Sequence, residues 1–225
     1  MSADVAALAQ ADPALDCPLC PRLVEFRHEA QEKHPNFFNA PVPSWGPGAP
    51  DGGVESVRLL VVGLAPGMKG ANATGRPFTG DWAGDLLYAT LAKFGFTEGT
   101  FAARPDDGLR LIGCAITNAV RCVPPQNKPV GAEINTCRQF LMQTLDALPN
   151  LKVMVTLGKI AHDSLTRTLG ERIAAHPFAH NREHTIADYT VVSSYHCSRY
   201  NTNTGRLTPQ MFEDVFARAR LLADD

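Results

Sequence analysis

A chain of 225 residues, 44% of them hydrophobic, can bury one sizeable core or at most two small ones. No apolar run reaches the ~18 residues of a membrane span, and the N-terminus lacks the charged start and apolar block of a secretory leader, so a cytoplasmic protein with no membrane partner is expected. The net charge of −2 excludes a protein coated in positive charge, although acidic residues crowd both ends and leave the middle mildly basic, which permits a local nucleic-acid face.

Residues 1–16 read as a loose leader with some helical tendency, followed by an N-terminal helix. Proline and glycine then crowd Pro41–Gly53, an irregular surface segment. Apolar, β-branched runs at Val57–Val62, Leu109–Ala119, Lys152–Leu157 and Tyr189–Ser194 predict four strands. Helical patterns at Asp81–Phe94, Gly131–Leu148 and Lys159–Leu169 alternate with them, and a last one covers Pro209–Leu222. Strands alternating with helices predict an α/β fold, here a three-layer α/β/α domain around a central four-stranded parallel sheet. With no internal repeat or linker, residues 1–225 are expected to form a single domain. Thr208 before Pro209 is a good helix cap, Gly158 a tight turn, and Gly170 a helix stop.

Two loops follow apolar strands and carry the candidate chemistry. GLAPGMKGANATGRPFTGD runs from Gly63 to Asp81, and HCSRYNTNTGRLT from His196 to Thr208. In open α/β sheets ligands bind beyond the carboxyl ends of the strands, so both loops are expected to line one crevice. Asp81 and His196 could act on a substrate there, and Phe78 and Tyr200 could stack on it. Asp81 has an equally plain reading as a helix cap, and Phe78 as core packing.

Six cysteines occur, at 17, 20, 114, 122, 137 and 197. Without a secretory leader a disulfide framework is not expected. Cys17 and Cys20 have metal-ligand spacing, and Cys122 and Cys137 could complete a set of four thiolates, which suits zinc or an iron–sulfur cluster. Cys114, inside an apolar strand, reads as a core residue. Two other patterns are rejected. His176, His180 and His184 recur every four residues, but Pro177 argues against the helix that would align them. The glycines of the first loop match neither the P-loop nor the dinucleotide fingerprint.

The two loops and the cysteines resemble the uracil-DNA glycosylase superfamily, most closely its family 5, from Cys17 onward. The resemblance implies that the thiolates of Cys17, Cys20, Cys122 and Cys137 hold a [4Fe–4S] cluster with a structural role. It implies that His196 is catalytic, meeting charge that grows on the departing base, and that Phe78 stacks on a flipped base. Asn118 would read the base edge, beside Gly63 and Ala65. Arg199 and Tyr200 fall where the family's wedge enters the duplex. Lys69, Arg76, Ser198, Arg199 and Arg206 become candidate DNA contacts.

Two departures from the superfamily pattern matter. Leu64, Ala65 and Pro66 stand where the uracil-strict families place a polar or acidic group, so Asp81 is the implied substitute. Cys197 replaces the usual proline after the histidine. The expectation is a monofunctional glycosylase, acting as a monomer on DNA containing uracil or other deaminated bases such as hypoxanthine and leaving an abasic site. No Schiff-base lysine for strand cleavage is apparent. The rivals are an iron–sulfur DNA-binding protein that senses damage without cutting, and one that traps its abasic product covalently through His196.

Overall fold

The computed structural model describes residues 8–225. In chain order its principal elements are helix α1 (Pro21–Lys33), strand β1 (Leu59–Gly63), the short helix α2 (Ala71–Thr74), α3 (Trp82–Lys93), the two-residue strands β2 (Thr97–Glu98) and β3 (Arg110–Leu111), and β4 (Cys114–Asn118). Then come α4 (Gly131–Asp146), β5 (Val153–Leu157), α5 (Lys159–Thr168), β6 (Arg182–Ile186), β7 (Tyr189–Ser194), α6 (Arg199–Asn203) and α7 (Pro209–Asp224).

The central sheet has the order β4-β1-β5-β7-β6. The first four strands are parallel, and every residue of β1, β4 and β5 is buried, as a sheet covered on both faces requires. Alternation along the strands feeds two cores. Leu59, Val61, Ile116 and Val155 pack with Leu87 and Leu91 of α3 and with Phe212 and Phe216 of α7. Leu60, Val62, Ala115 and Met154 face the other way, onto Leu141 of α4 and Leu165 of α5.

The four-stranded parallel sheet predicted above is corrected to five strands. β6 is the addition, antiparallel to β7 and joined to it through Ala187 and Asp188. Its residues, Arg-Glu-His-Thr-Ile, are mostly exposed and polar because an edge strand covers little core, so the apolar runs that mark the other strands are missing. The single strand predicted over Leu109–Ala119 divides at Gly113, whose φ of 63° breaks the extended backbone between β3 and β4. On the opposite edge Trp45 exchanges backbone hydrogen bonds with Ile116, so the proline-rich segment covers β4.

The predicted loose leader needs a second correction. Its first seven residues lie outside those described, but Leu8 is buried in the core and Asp12 pairs with Arg121 at 2.9 Å, both side chains nearly inaccessible. The predicted caps form as read: Thr208 Oγ1 accepts the Met211 N–H, and Gly158 turns with φ 95°. No helix forms over 176–184, where His184 belongs to β6. Among the described residues no helix is long and apolar enough to cross a membrane.

Candidate active site

Three strands end at one crevice. Gly63 closes β1, Asn118 closes β4 as its register partner, and His196 follows β7 by two residues. The loop after β1 returns Phe78 and Asp81 to the same place. Asn118, His196, Phe78 and Asp81 together line a cavity of about 410 Å³. Glycine makes this convergence possible: a Cβ on Gly63 would lie 2.3 Å from Asn118 Oδ1 and 2.6 Å from Phe78 Cζ. A Cβ on Gly70 would lie 2.3 Å from Asp81 Oδ2. Phe78 itself adopts φ 51°, uncommon for an aromatic residue, and its carbonyl fits only because Gly84 lacks a side chain.

The polar atoms at this crevice are unusual for buried groups. Asn118 Oδ1 and His196 Nδ1 are both buried without a hydrogen-bond partner. Seven buried side-chain atoms among the described residues lack a partner, and these two are the ones on this cavity, where a ligand's polar groups could pair with them. The imidazole stands 6.2 Å from the Phe78 ring, inclined by 30°, and Asn201 Nδ2 donates to the His196 carbonyl at 2.8 Å. Burial pulls the His196 pKa down to about 4, so at neutral pH the ring is uncharged and carries a single N–H.

Asp81 combines both sequence readings. Its Oδ1 accepts the Gly84 N–H at 3.2 Å as the cap of α3, while the carboxylate also lines the cavity. Burial raises its pKa against the opposing hydrogen bonds from Gly84 and Ala83.

The matches with known proteins agree with this geometry. The family model for the uracil DNA glycosylase superfamily matches residues 50–220. The chain is 43% identical over 208 residues to the type-5 uracil-DNA glycosylase of Thermus thermophilus, covering 92% of this chain and 94% of that one. It is 40% identical to the type-5 uracil-DNA glycosylase of Mycobacterium leprae, over 92% and 91% of the two chains. With that of Pyrobaculum aerophilum the identity is 35%, over 91% and 88%. The chain belongs to the uracil-DNA glycosylase superfamily. Membership places it among the hydrolases of N-glycosyl bonds in DNA.

Around this crevice the predicted DNA contacts divide. Lys69, Arg199 and Tyr200 are exposed, Tyr200 by 73%. Ser198 caps α6 and lines the cavity. Arg206 lies 4.6 Å from the Tyr195 ring centroid, beside a second cavity that shares Leu64 and His196 with the first.

Arg76 is a correction. Its guanidinium is buried, forms two 2.8 Å hydrogen bonds with Asp107 and lies over Trp45, so no phosphate can reach it. A long loop brings Asp107 to it from 31 residues away, a pairing no local pattern announces.

Among the cavity residues that the sequence does not mark as candidates, two carry large polar or aromatic side chains. Trp82, which falls within the helical pattern Asp81–Phe94, stands at the rim. Asn127, in the Pro-rich run after Cys122, lines the same cavity with φ 56°. An asparagine between Gln126 and Lys128 in a proline-rich run reads from sequence as an ordinary turn.

Cys17, Cys20, Cys122 and Cys137 line one cavity between α1, the segment after β4, and α4. Cys114 and Cys197 are buried apart from it in the main core. Burial and the neighbouring thiols push Cys122 up to about 12 and Cys137 up to about 11. A bound cationic centre would reverse that balance and hold the thiolates. No group of three or more His, Cys, Asp or Glu among the described residues is gathered as a site for one metal ion. The donor set, four thiols around a shared apolar cavity, has the chemistry of a sulfur-ligated centre, iron–sulfur cluster or zinc.

Proposed function

We propose that this chain is a monofunctional DNA glycosylase that removes uracil and other deaminated bases, hypoxanthine included, from DNA. The observation that carries the reading is the pair of unpartnered buried atoms, Asn118 Oδ1 and His196 Nδ1, on a cavity that also holds an aromatic ring and a carboxylate. A base inside a duplex is out of reach, so the nucleotide is flipped into this cavity, where Phe78 stacks on it. The Asn118 side-chain amide offers both a donor and an acceptor, matching the O4/N3 edge of uracil.

Cleavage breaks the bond between the sugar C1′ and the base nitrogen, and the electron pair leaves with the base. Neutral His196 donates a hydrogen bond to the oxygen on which that charge grows, and it keeps its proton. The sugar becomes cationic. The Asp81 carboxylate stabilises it and orients a water, whose oxygen bonds to C1′ and whose proton passes to solvent. Leu64, Ala65 and Pro66 bring no polar side chain to the base, which supports a broad range of deaminated bases.

Cys17, Cys20, Cys122 and Cys137 would hold a [4Fe–4S] cluster, which supplies a structural tie between α1 and α4. The purified protein should contain about four irons and absorb broadly in the visible, bleaching in acid. One zinc and no iron would overturn the assignment.

Incubation with uracil-containing duplex, followed by alkali, tests the activity. Many strand breaks per protein molecule are expected. A persistent one-to-one protein–DNA adduct would favour covalent trapping through His196, and intact DNA would favour a sensor. The protein is further proposed to work as a one-domain monomer, which sedimentation with and without DNA checks.

A further inference from the structure

Trp82 opens α3 immediately after Asp81 and stands 49% exposed at the rim of the cavity. Its orientation is held from the opposite loop. The indole Nε1–H donates to Thr202 Oγ1 of α6 at 3.0 Å, and the Arg199 guanidinium lies 5.6 Å from the ring centroid. Those two contacts join the loop after β1 to the loop after β7 across the mouth of the site. A ring secured at its edge in this way, with half its surface still in water, costs little further entropy when something flat settles on it.

We propose that Trp82 is a stacking platform for the nucleobase that neighbours the flipped nucleotide in the substrate strand. The proposal rests on the glycosylase reading above and adds a specific DNA contact to it. Flipping one nucleotide strips its neighbour of a stacking partner, and an indole at the cavity mouth replaces that lost face. The Arg199 guanidinium lies over one face of the ring and adds positive charge next to the strand that must pass there, so the neighbouring base takes the other face.

Binding is measured with a duplex carrying a tetrahydrofuran abasic analogue, which has no base to excise. The chain has two tryptophans, so Trp82→Phe leaves only Trp45 to report. Wild-type fluorescence should be quenched on adding this DNA, and the quench should vanish in Trp82→Phe. Stacking predicts affinity weakened about 10-fold or more in Trp82→Ala and largely kept, within about threefold, in Trp82→Phe.

Equal weakening in both variants would show that the bond to Thr202 matters rather than stacking, and would overturn the proposal. So would unquenched wild-type fluorescence, or affinities all within about twofold. Excision is scored separately on uracil duplex. A wild-type protein that binds and quenches but leaves uracil DNA alkali-stable would sink the glycosylase reading alone, whereas active excision without quenching would sink only the role of Trp82.

Discussion

The cavity at the strand ends and the buried Arg76 site beside it treat polar groups in opposite ways. In the core, all three guanidinium nitrogens of Arg76 are paired, Nη1 and Nη2 with Asp107 and Nε with Thr79. In the cavity, Asn118 Oδ1 and His196 Nδ1 meet nothing. The contrast separates two uses of burial: a satisfied group stabilises the fold, whereas an unsatisfied one holds interaction energy in reserve for a ligand.

The most severe way to break the comparison is to unpair the core. Asp107→Ala leaves Arg76 buried with its charge uncompensated, and loss of about 3–5 kcal/mol of stability is expected by denaturant titration. The Arg76 hydrogen bonds hold the Asp107 carboxyl well below the usual carboxylate range. Its contribution is therefore complete above the unfolded pKa, near ~4, and is lost as pH falls through the lower folded value. The wild-type protein should lose stability below about pH 4 in a way that Asp107→Asn does not reproduce.

His196→Ala should do the reverse. Excision under single-turnover conditions should fall about 10²–10³-fold, while DNA binding and melting temperature change little, because the lost hydrogen bond forms mainly in the transition state. A drop smaller than about threefold would remove His196 from the mechanism. Asp81→Asn follows closely. Asparagine caps as well as aspartate, so α3 should keep its stability while excision falls by about 10²-fold or more. An active, stable Asp81→Asn protein would leave the cap as the only role.

Gly63→Ala should cost less, about tenfold in excision, since its methyl would displace Asn118 and Phe78 without deleting either. The smallest effect is in pH dependence. His196 is uncharged in the folded state down to about 4, so protonation of this ring should contribute no loss of rate between pH 8 and about pH 5. Burial raises the Asp81 pKa, so the acidic limb of the rate should lie above the usual carboxylate value, and Asp81→Asn should lack it. Because the unfolded His196 takes up a proton that the folded ring refuses, that residue also withdraws stability as pH falls from ~6.5 towards 4.

Part of the candidate site was legible in the sequence. Asn118 closes one apolar run and His196 follows another, and the ends of parallel strands converge wherever such a sheet forms, whereas the roles of Asp81 and Asn118 came from the resemblance of the two loops. The four cysteines were legible as a set, and they do share a cavity. Arg76 was misread because a cation in a glycine-rich loop looks solvated until its partner, Asp107, is known. β6 was missed because an edge strand needs few apolar residues. Leu8 and Asp12 were taken as loose because their partners, the main core and Arg121, lie far along the chain.

By itself the amino-acid sequence determined the α/β character, the two loops and the residue types capable of the chemistry. These rest on local periodicity and on short-range turn rules, which act within a few residues. Only the tertiary structure decided which charges are spent on the fold and which groups remain unpaired in the cavity. It also decided that Trp82 bridges the two loops through Thr202, 120 residues away. Those outcomes depend on desolvation, and a side chain's access to water is set by whatever the rest of the chain packs against it.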